Sequence, residues 1–155
     1  MQFQKGQSMV EFTLLLPLFL LFIFSIIYFS MIFLDYMTLS TVARNSAREA
    51  SVVESATEYV NGYPTIRKHY VDQTLPVDIY DWDPASTSDF KIEYKPSNNP
   101  DEHGNVMVTV NAKFNENGSW LADIIDGLSD NKNTKKLDLT ITCTMYSEDN
   151  WKTQK

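Results

Sequence analysis

The sequence predicts an α+β protein, in which a long N-terminal transmembrane helix precedes a small antiparallel sheet domain with a packed helix. Residues 12–34 form a run of 23 residues without a charged side chain. As a helix, such a run spans about 35 Å, which suffices to cross a hydrocarbon core of about 30 Å. Three later segments alternate apolar and polar residues with the two-residue period of half-buried β-strands.

Composition limits the classes of function. The chain has 155 residues, which is room for one membrane helix and one small soluble domain. Its net charge is −7 without a Lys/Arg cluster, which argues against nucleic acid as a partner. A single cysteine excludes an internal disulfide. A cleaved secretory signal has an apolar core of about 7 to 15 residues, whereas this run is longer and bulky residues follow it.

The flanking charges predict the orientation of the chain. Lys5 and the terminal amine precede the run, and the first basic residue after it is Arg44. We therefore expect a cytoplasmic N-terminus and an extracytoplasmic C-terminal domain. Pro17 lies within the run and should kink or locally open the helix, because it lacks a backbone donor. Ser25 and Ser30 are expected to bond the freed carbonyls or to face a neighbouring helix.

The first helix is expected to continue to Val60, because residues 35–60 contain neither proline nor glycine. Asn61-Gly62 then supplies a stop, and a break near Asp35 into two helices is the open alternative. Small and apolar residues recur at helical spacing here, which favours close packing against another helix. They are Leu39, Ala43, Ser46, Ala50, Val53, Thr57 and Val60.

A second, short helix is expected after this stop. Pro64 suits its first turn and Pro76 ends it, so that the helix runs from Pro64 to Leu75. Ile66 and Tyr70, four residues apart, should share one face of this helix.

The remaining residues are predicted to form a sheet of three or four strands. Strands are expected at 90–95, 106–114 and 137–146, and the turn-rich residues 96–105 join the first two strands as a long-looped hairpin. Residues 119–128 carry the pattern of an amphipathic helix. This helix should cover one face of the sheet.

No constellation of residues predicts an enzyme or a cofactor site. His69 and His103 lie in different predicted elements, and neither has a Ser, Cys or Asp at a spacing typical of catalysis. Cys143 falls on the apolar phase of its strand, which favours a small buried hydrophobe over a reactive thiol.

An acidic stretch surrounds Trp82 and is a candidate metal site. It contains Asp78, Asp81, Asp83 and Asp89. Calcium would bind several oxygens from one loop, but the spacing is not that of an EF-hand and the glycine of its tight turn is missing. We therefore expect a solvated loop and no metal.

One carboxylate lies at the head of the apolar run. Glu11 directly precedes Phe12 and follows Gly6 by five positions. A charge deep in a bilayer costs roughly 2.5 to 3.5 kcal/mol on translocon scales, so the partner of Glu11 matters. If a peptidase cuts between Gly6 and Gln7, the new α-amino group of one chain lies at the depth of Glu11 in another, and the charges pair. Alternatively, Glu11 caps the first helical turn at the interface.

Two N-terminal motifs carry a resemblance to a known family. The segment Lys5-Gly6-Gln7-Ser8-Met9-Val10-Glu11-Phe12, with the Leu-rich sequence after it, resembles the N-terminus of TadE-like proteins. These proteins are minor pilins or pseudopilins of tight-adherence pili, a branch of the type IV pilus superfamily. Residues 43–50 are similar to the family's Ala- and Arg-rich stretch, and residues 139–145 with Glu148 resemble its C-terminal strand.

The resemblance implies roles for the N-terminal residues. A prepilin peptidase would cut between Gly6 and Gln7 and remove a leader of residues 1–6. Glu11, with Phe12 beside it, would then take the family's role in subunit assembly. Major pilins of this branch are much shorter and lack a globular domain, so the chain resembles a minor component.

The resemblance also implies partners and location. The expected partners are the prepilin peptidase, other pilin or pseudopilin subunits, the inner-membrane pilus assembly platform and membrane lipid. The expected location is the bacterial cytoplasmic membrane, which the chain crosses once, or the pilus itself. The expected organisation is a leader at 1–6, a long helix at 7–62 with its membrane span at about 12–34, and an extracytoplasmic α+β domain at 63–155.

A single-pass membrane-anchored binding module is the alternative function. In that case the extracytoplasmic domain recognises a ligand or a cell-surface partner. This alternative predicts no cleavage at Gly6, and it predicts that Glu11→Ala leaves function intact.

Overall fold

The computed structural model of the chain describes residues 3–54, 56–77, 79–99, 102–115 and 138–148. It confirms the α+β class, with a long apolar N-terminal helix followed by a small antiparallel sheet. In chain order, the elements are α1 (Phe3–Ser51), α2 (Ala56–Val60), α3 (Pro64–His69), β1 (Tyr80–Asp81), β2 (Phe90–Lys95), β3 (Asn105–Phe114) and β4 (Leu139–Tyr146). The predicted amphipathic helix at 119–128 lies outside the described residues.

Helix α1 is continuous over 49 residues, which corresponds to a length of about 73 Å. The helix assignment continues through both Pro17 and Asp35. The alternative of two helices with a break near Asp35 is therefore wrong. The carboxylate of Asp35 binds backbone donors outside the helix, so it does not compete for the helix's own backbone.

The first helix ends at Ser51, so the expected extension to Val60 is wrong. Val52 and Val53 follow Ser51, and β-branched side chains lose rotamer freedom in a helix. The last turn is also held from outside, because the Glu148 N–H donates a hydrogen bond of 2.9 Å to the Ser51 carbonyl. This bond satisfies one of the carbonyls that a helix end leaves without an intrahelical partner.

The predicted stop at Asn61-Gly62 exists, but it ends the short helix α2. Gly62 has a φ of 71°, in the left-handed region that glycine adopts without steric cost. The Tyr63 N–H bonds the Glu58 carbonyl at 2.7 Å and closes the turn. Tyr63 itself has a φ of 56°, which is uncommon for a residue with a side chain.

Helix α3 begins at Pro64 as predicted but ends at His69, short of the expected Leu75. The N–H of Tyr70 turns back to the Arg67 carbonyl, which closes the last turn well before Pro76. The expected shared face is confirmed, because Ile66 and Tyr70 are both buried.

Strand β3 is the centre of the sheet and pairs antiparallel with each of the other three strands. The expected hairpin is confirmed, with Phe90 opposite Val110 and Lys95 opposite Asn105. Alternate residues of β3 are buried, in the predicted phase. They are Val106, Val108, Val110, Ala112 and Phe114.

The second half of α1 packs on this face of the sheet, in contact with β3 and β4. Leu39, Ala43, Ser46 and Ala50 are buried there. The expectation that these small residues receive another helix is therefore wrong. Small side chains allow close approach of any apolar surface, and here the chain's own sheet packs against them instead of another helix.

Asp35 ties α1 to the segment that leads into β1. Its side chain is fully buried (0% exposed). Its two carboxylate oxygens accept hydrogen bonds from the N–H groups of Val77 (3.1 Å), Ile79 (3.0 Å) and Tyr80 (3.4 Å). Burial raises the pKa of Tyr80, and Tyr28 and Asp35 raise it further by their proximity.

A second tie joins the end of α1 to α3. The Tyr70 hydroxyl donates a hydrogen bond of 2.9 Å to Glu49, and the ring nitrogen Nδ1 of His69 lies 3.4 Å from the same carboxylate. Burial raises the pKa of Tyr70 to about 12, and the bond to Glu49 adds to this shift. Burial likewise raises the pKa of Tyr63 to about 12.

Asp35→Ala should lower the free energy of unfolding by about 2 to 4 kcal/mol, because it leaves buried N–H donors without their charged acceptor. Alanine favours helix, so lost helix propensity cannot cause this loss. Thermal and urea unfolding of the full chain in detergent micelles measures it. Asp72→Ala, at an exposed position, is the matched control. Equal stability of the two variants would contradict the role given to Asp35.

Alkaline pH should destabilise the domain. A tyrosine in the unfolded chain titrates at 10.0, whereas Tyr63 and Tyr70 titrate at about 12 when folded. Their contribution to the free energy of unfolding is therefore complete below pH 10 and is lost as the pH rises to about 12. The loss is on the order of 2 kcal/mol for each residue. Tyr70→Phe should reduce this loss, and Tyr146→Phe, at an exposed position, should not. Unfolding midpoints against pH test this, with tyrosinate absorbance as the second readout.

Candidate assembly interface

The first half of α1 carries the sequence-predicted site, and the other described elements leave it uncovered. From Met9 to Ile27, every side chain except Ile23 is exposed. Among the described residues, α1 is the one helix that is long and apolar enough to cross a membrane. An exposed apolar surface of this size marks a membrane or protein contact.

The structure places all four predicted site residues on this half of α1. Gly6 and Gln7 have helical backbone, and Glu11 and Phe12 follow within two turns. Glu11 is exposed, and the Phe12 side chain is 65% exposed. Along the axis, Gly6 and Glu11 are separated by about 7.5 Å.

The backbone at the predicted cleavage point is helical. Because α1 starts at Phe3, the bond between Gly6 and Gln7 lies within its first turns. Glycine in a helix is about 1 kcal/mol less favourable than alanine, so Gly6 makes this part of the helix easier to unwind.

Glu11 does not cap the first turn of the helix. It is the ninth residue of α1, and the first turn contains no acidic residue. The attraction between a carboxylate and the helix dipole falls off within the first turn. The capping alternative is therefore wrong for the uncleaved chain, whereas cleavage after Gly6 would make Glu11 the fifth residue of the product.

The serines of the apolar run bond within their own helix. The Ser25 hydroxyl donates to the Leu21 carbonyl at 2.8 Å, and the Ser30 hydroxyl donates to the Ile26 carbonyl at 2.9 Å. Neither acceptor is the carbonyl four residues before Pro17, which is the one that proline leaves without a donor. The expectation that these serines repair the proline site is therefore wrong.

The other residues singled out in the sequence lie away from this half of α1. Cys143 is half-buried opposite Val108, on the face of β4 that packs on the core. His103 stacks on Tyr146, and the side chain of His69 is 68% exposed.

The acidic stretch around Trp82 is used in local turns. Asp83 Oδ1 accepts a bond from the Ala85 N–H at 2.9 Å, and Asp89 Oδ1 accepts one from the Ser88 hydroxyl at 2.8 Å. Asp78 lies outside the described residues. Within the described ranges, no group of three His, Cys, Asp or Glu side chains is arranged to hold a metal ion.

Sequence reasoning missed the role of Asp35. The signal was present, because Asp35 is the first charged residue after the 23-residue run. Its donors are the N–H groups of Val77, Ile79 and Tyr80, more than forty positions later in the chain. Nothing local in the sequence indicates that pairing.

The model of the TadE-like protein family matches residues 6–48. This segment is therefore similar to TadE-like proteins. The match begins at Gly6, includes Glu11 and Phe12, and ends within the part of α1 that packs on the sheet. No curated protein and no solved structure matches the chain.

The match confirms the N-terminal part of the family resemblance. The TadE-like segment suggests a component associated with tight-adherence pili, and its apolar helix is consistent with a single-pass membrane anchor. The resemblance at residues 139–145 lies outside the match and stays a prediction.

Proposed function

We propose that the chain is a minor pilin or pseudopilin of a tight-adherence pilus, cut by a prepilin peptidase after Gly6 and assembled through Glu11. The observation that carries this proposal is the TadE-like match, which begins at Gly6 and continues along an uncovered apolar helix with Glu11 near its head. A structural subunit needs such a surface, because its anchor must leave lipid and pack on other subunits.

The pairing of Glu11 with a new amino terminus would fix the axial register between the helices of neighbouring subunits. An unpaired carboxylate in an apolar setting is costly, whereas a carboxylate next to an ammonium group is neutralised. The N-terminal half of α1 is otherwise apolar from Met9 to Ile27 apart from Glu11, Thr13 and Ser25. Apolar contacts alone do not prevent one helix from sliding along another. The charge pair would therefore set the axial position of neighbouring helices.

A binding module is the second candidate, and one observation favours it. A groove of about 540 Å³ runs beside β2 and is lined in part by Arg67, Glu93 and Tyr94. Nε of Arg67 is buried and has no hydrogen-bond partner within the described part of the chain. Cleavage and the Glu11 variants distinguish this candidate from a pilus subunit.

Processing should remove the first six residues. In cells with an active prepilin peptidase, mass spectrometry of the membrane-extracted protein should find Gln7 at the N-terminus. Gly6→Leu should block the cut, because a bulky side chain then occupies the position before the bond, and Ser8→Ala should be cut normally. A mature protein that still begins at Met1 in those cells would falsify the cleavage proposal.

Glu11→Gln and Glu11→Ala should abolish incorporation into filaments while membrane insertion stays intact. Each removes the charge that the new amino terminus requires, and an unpaired buried charge costs about 3 to 5 kcal/mol. Immunoblots of sheared filaments and of membrane fractions measure the two outcomes. Glu54→Gln, at an exposed position beyond the end of α1, is the control. Normal incorporation of both Glu11 variants would favour the binding module.

A further inference from the structure

The domain begins to cover α1 before the apolar surface of this helix ends. Tyr28 is buried, and Met31 and Ile32 pack partly against the core of the domain. At the same height, the opposite side of the helix stays apolar and exposed. The residues there are Phe29 (69% exposed), Phe33 (50%), Leu34 (52%) and Met37 (49%).

The exposed side of α1 changes character just above Met37. The next exposed residues along the helix are Thr41, Arg44, Asn45 and Arg48, which are all polar or charged. The boundary with water on this side therefore lies between Met37 and Thr41. The domain and the apolar surface overlap along the helix from Tyr28 to Met37, which is about 13 Å.

The length of the apolar surface matches a bilayer with its polar layers. From Met9 to Met37 the helix rises about 42 Å, and a bilayer that includes its headgroup regions is about 40 to 45 Å thick. Glu11 then lies at one interface and Met37 at the other. The overlap from Tyr28 to Met37 falls in the outer interfacial layer and the adjoining hydrocarbon.

Among the described residues, the segment Leu75-Pro76-Val77 lies at this height, shortly before Ile79 and Tyr80, which bond the same Asp35 carboxylate. The Val77 N–H bonds Asp35, which fixes the segment beside the helix. Pro76 is exposed, and Leu75 and Val77 are half-buried. An apolar turn at the height of the headgroups is suited to contact with lipid.

We propose that Leu75-Pro76-Val77 is a membrane-contact surface, which seats the base of the domain in the headgroup layer of the bilayer that α1 crosses. The occupant is lipid, because the apolar surface of α1 has the length of a bilayer and places this turn at the height of the headgroups. A second copy of the chain would instead need to cover Phe33 and its neighbours. The proposal rests on membrane anchoring by α1, as the proposed function does.

Site-specific fluorescence in nanodiscs tests this surface. The full chain carries Cys143→Ala, with Cys143→Ser as a second background, and one new cysteine labelled with an environment-sensitive dye. The positions are Pro76→Cys, Asn98→Cys and Phe22→Cys. Asn98 is exposed in the loop between β2 and β3, and this loop lies near the end of α1, since Ser147 bonds Gly104 and Glu148 bonds Ser51.

Lipids with a nitroxide on the headgroup or on the acyl chain then act as quenchers. We expect headgroup nitroxide to quench the dye at position 76, acyl-chain nitroxide to quench it at position 22, and neither to quench it at position 98. Quenching at 22 with none at 76 overturns the membrane-contact surface and leaves the anchor intact. No quenching at 22 overturns the anchor, and with it both proposals. Disulfide-linked dimers of a Phe33→Cys variant, without quenching at 76, would assign the surface to a second copy.

Discussion

The buried carboxylate of Asp35 sets the height of the sheet domain on the helix. Hydrogen bonds to a charged group contribute about 1.5 to 3 kcal/mol each, and Asp35 accepts them from the N–H groups of Val77 and Ile79. Because α1 is one continuous helix, a tie at a single residue fixes how far along the helix the domain lies from the N-terminus. The positions of Glu11, of the apolar surface and of the domain base are therefore parts of one axial arrangement.

The two halves of helix α1 differ in what they contact. The half from Leu39 to Ala50 buries small side chains against the chain's own sheet. The half from Met9 to Ile27 buries almost none. Contacts with lipid or other subunits must therefore use the first half, together with the exposed side near Phe33. This division suits a subunit that carries a folded domain on a helix shared with its surroundings.

The same division separates residues that stabilise the domain from residues that the proposed function assigns to assembly. Substitutions at Ala43 or Ala47, which are fully buried (0% exposed), act on the packing of the domain. Substitutions near Glu11 should leave that packing untouched, since side chains from Met9 to Phe22 are all exposed in the described structure. The two sets of residues lie about 48 Å apart along the helix axis, from Glu11 to Ala43. A loss of assembly in a Glu11 variant would therefore not be explained by misfolding of the domain.

Local patterns in the sequence were sufficient for most of the elements. The alternation at 90–95 and 106–114 gave the strands, their buried phase and their hairpin, because strand periodicity depends on the immediate neighbours alone. The uncharged run predicted the long apolar helix, and Gly6 with Glu11 pointed to the family that matches residues 6–48.

Tertiary contacts decided the remainder. The end of α1 at Ser51 depends on Glu148, which comes from the other end of the chain. The small-residue face of α1 is equally suited to a helix or a sheet, and only the fold shows that β3 and β4 cover it. Asp35 reads in the sequence as the point where an apolar run stops. Asp35 can act as a buried acceptor only once Val77, Ile79 and Tyr80 lie beside it, since a hydrogen bond requires both partners in place.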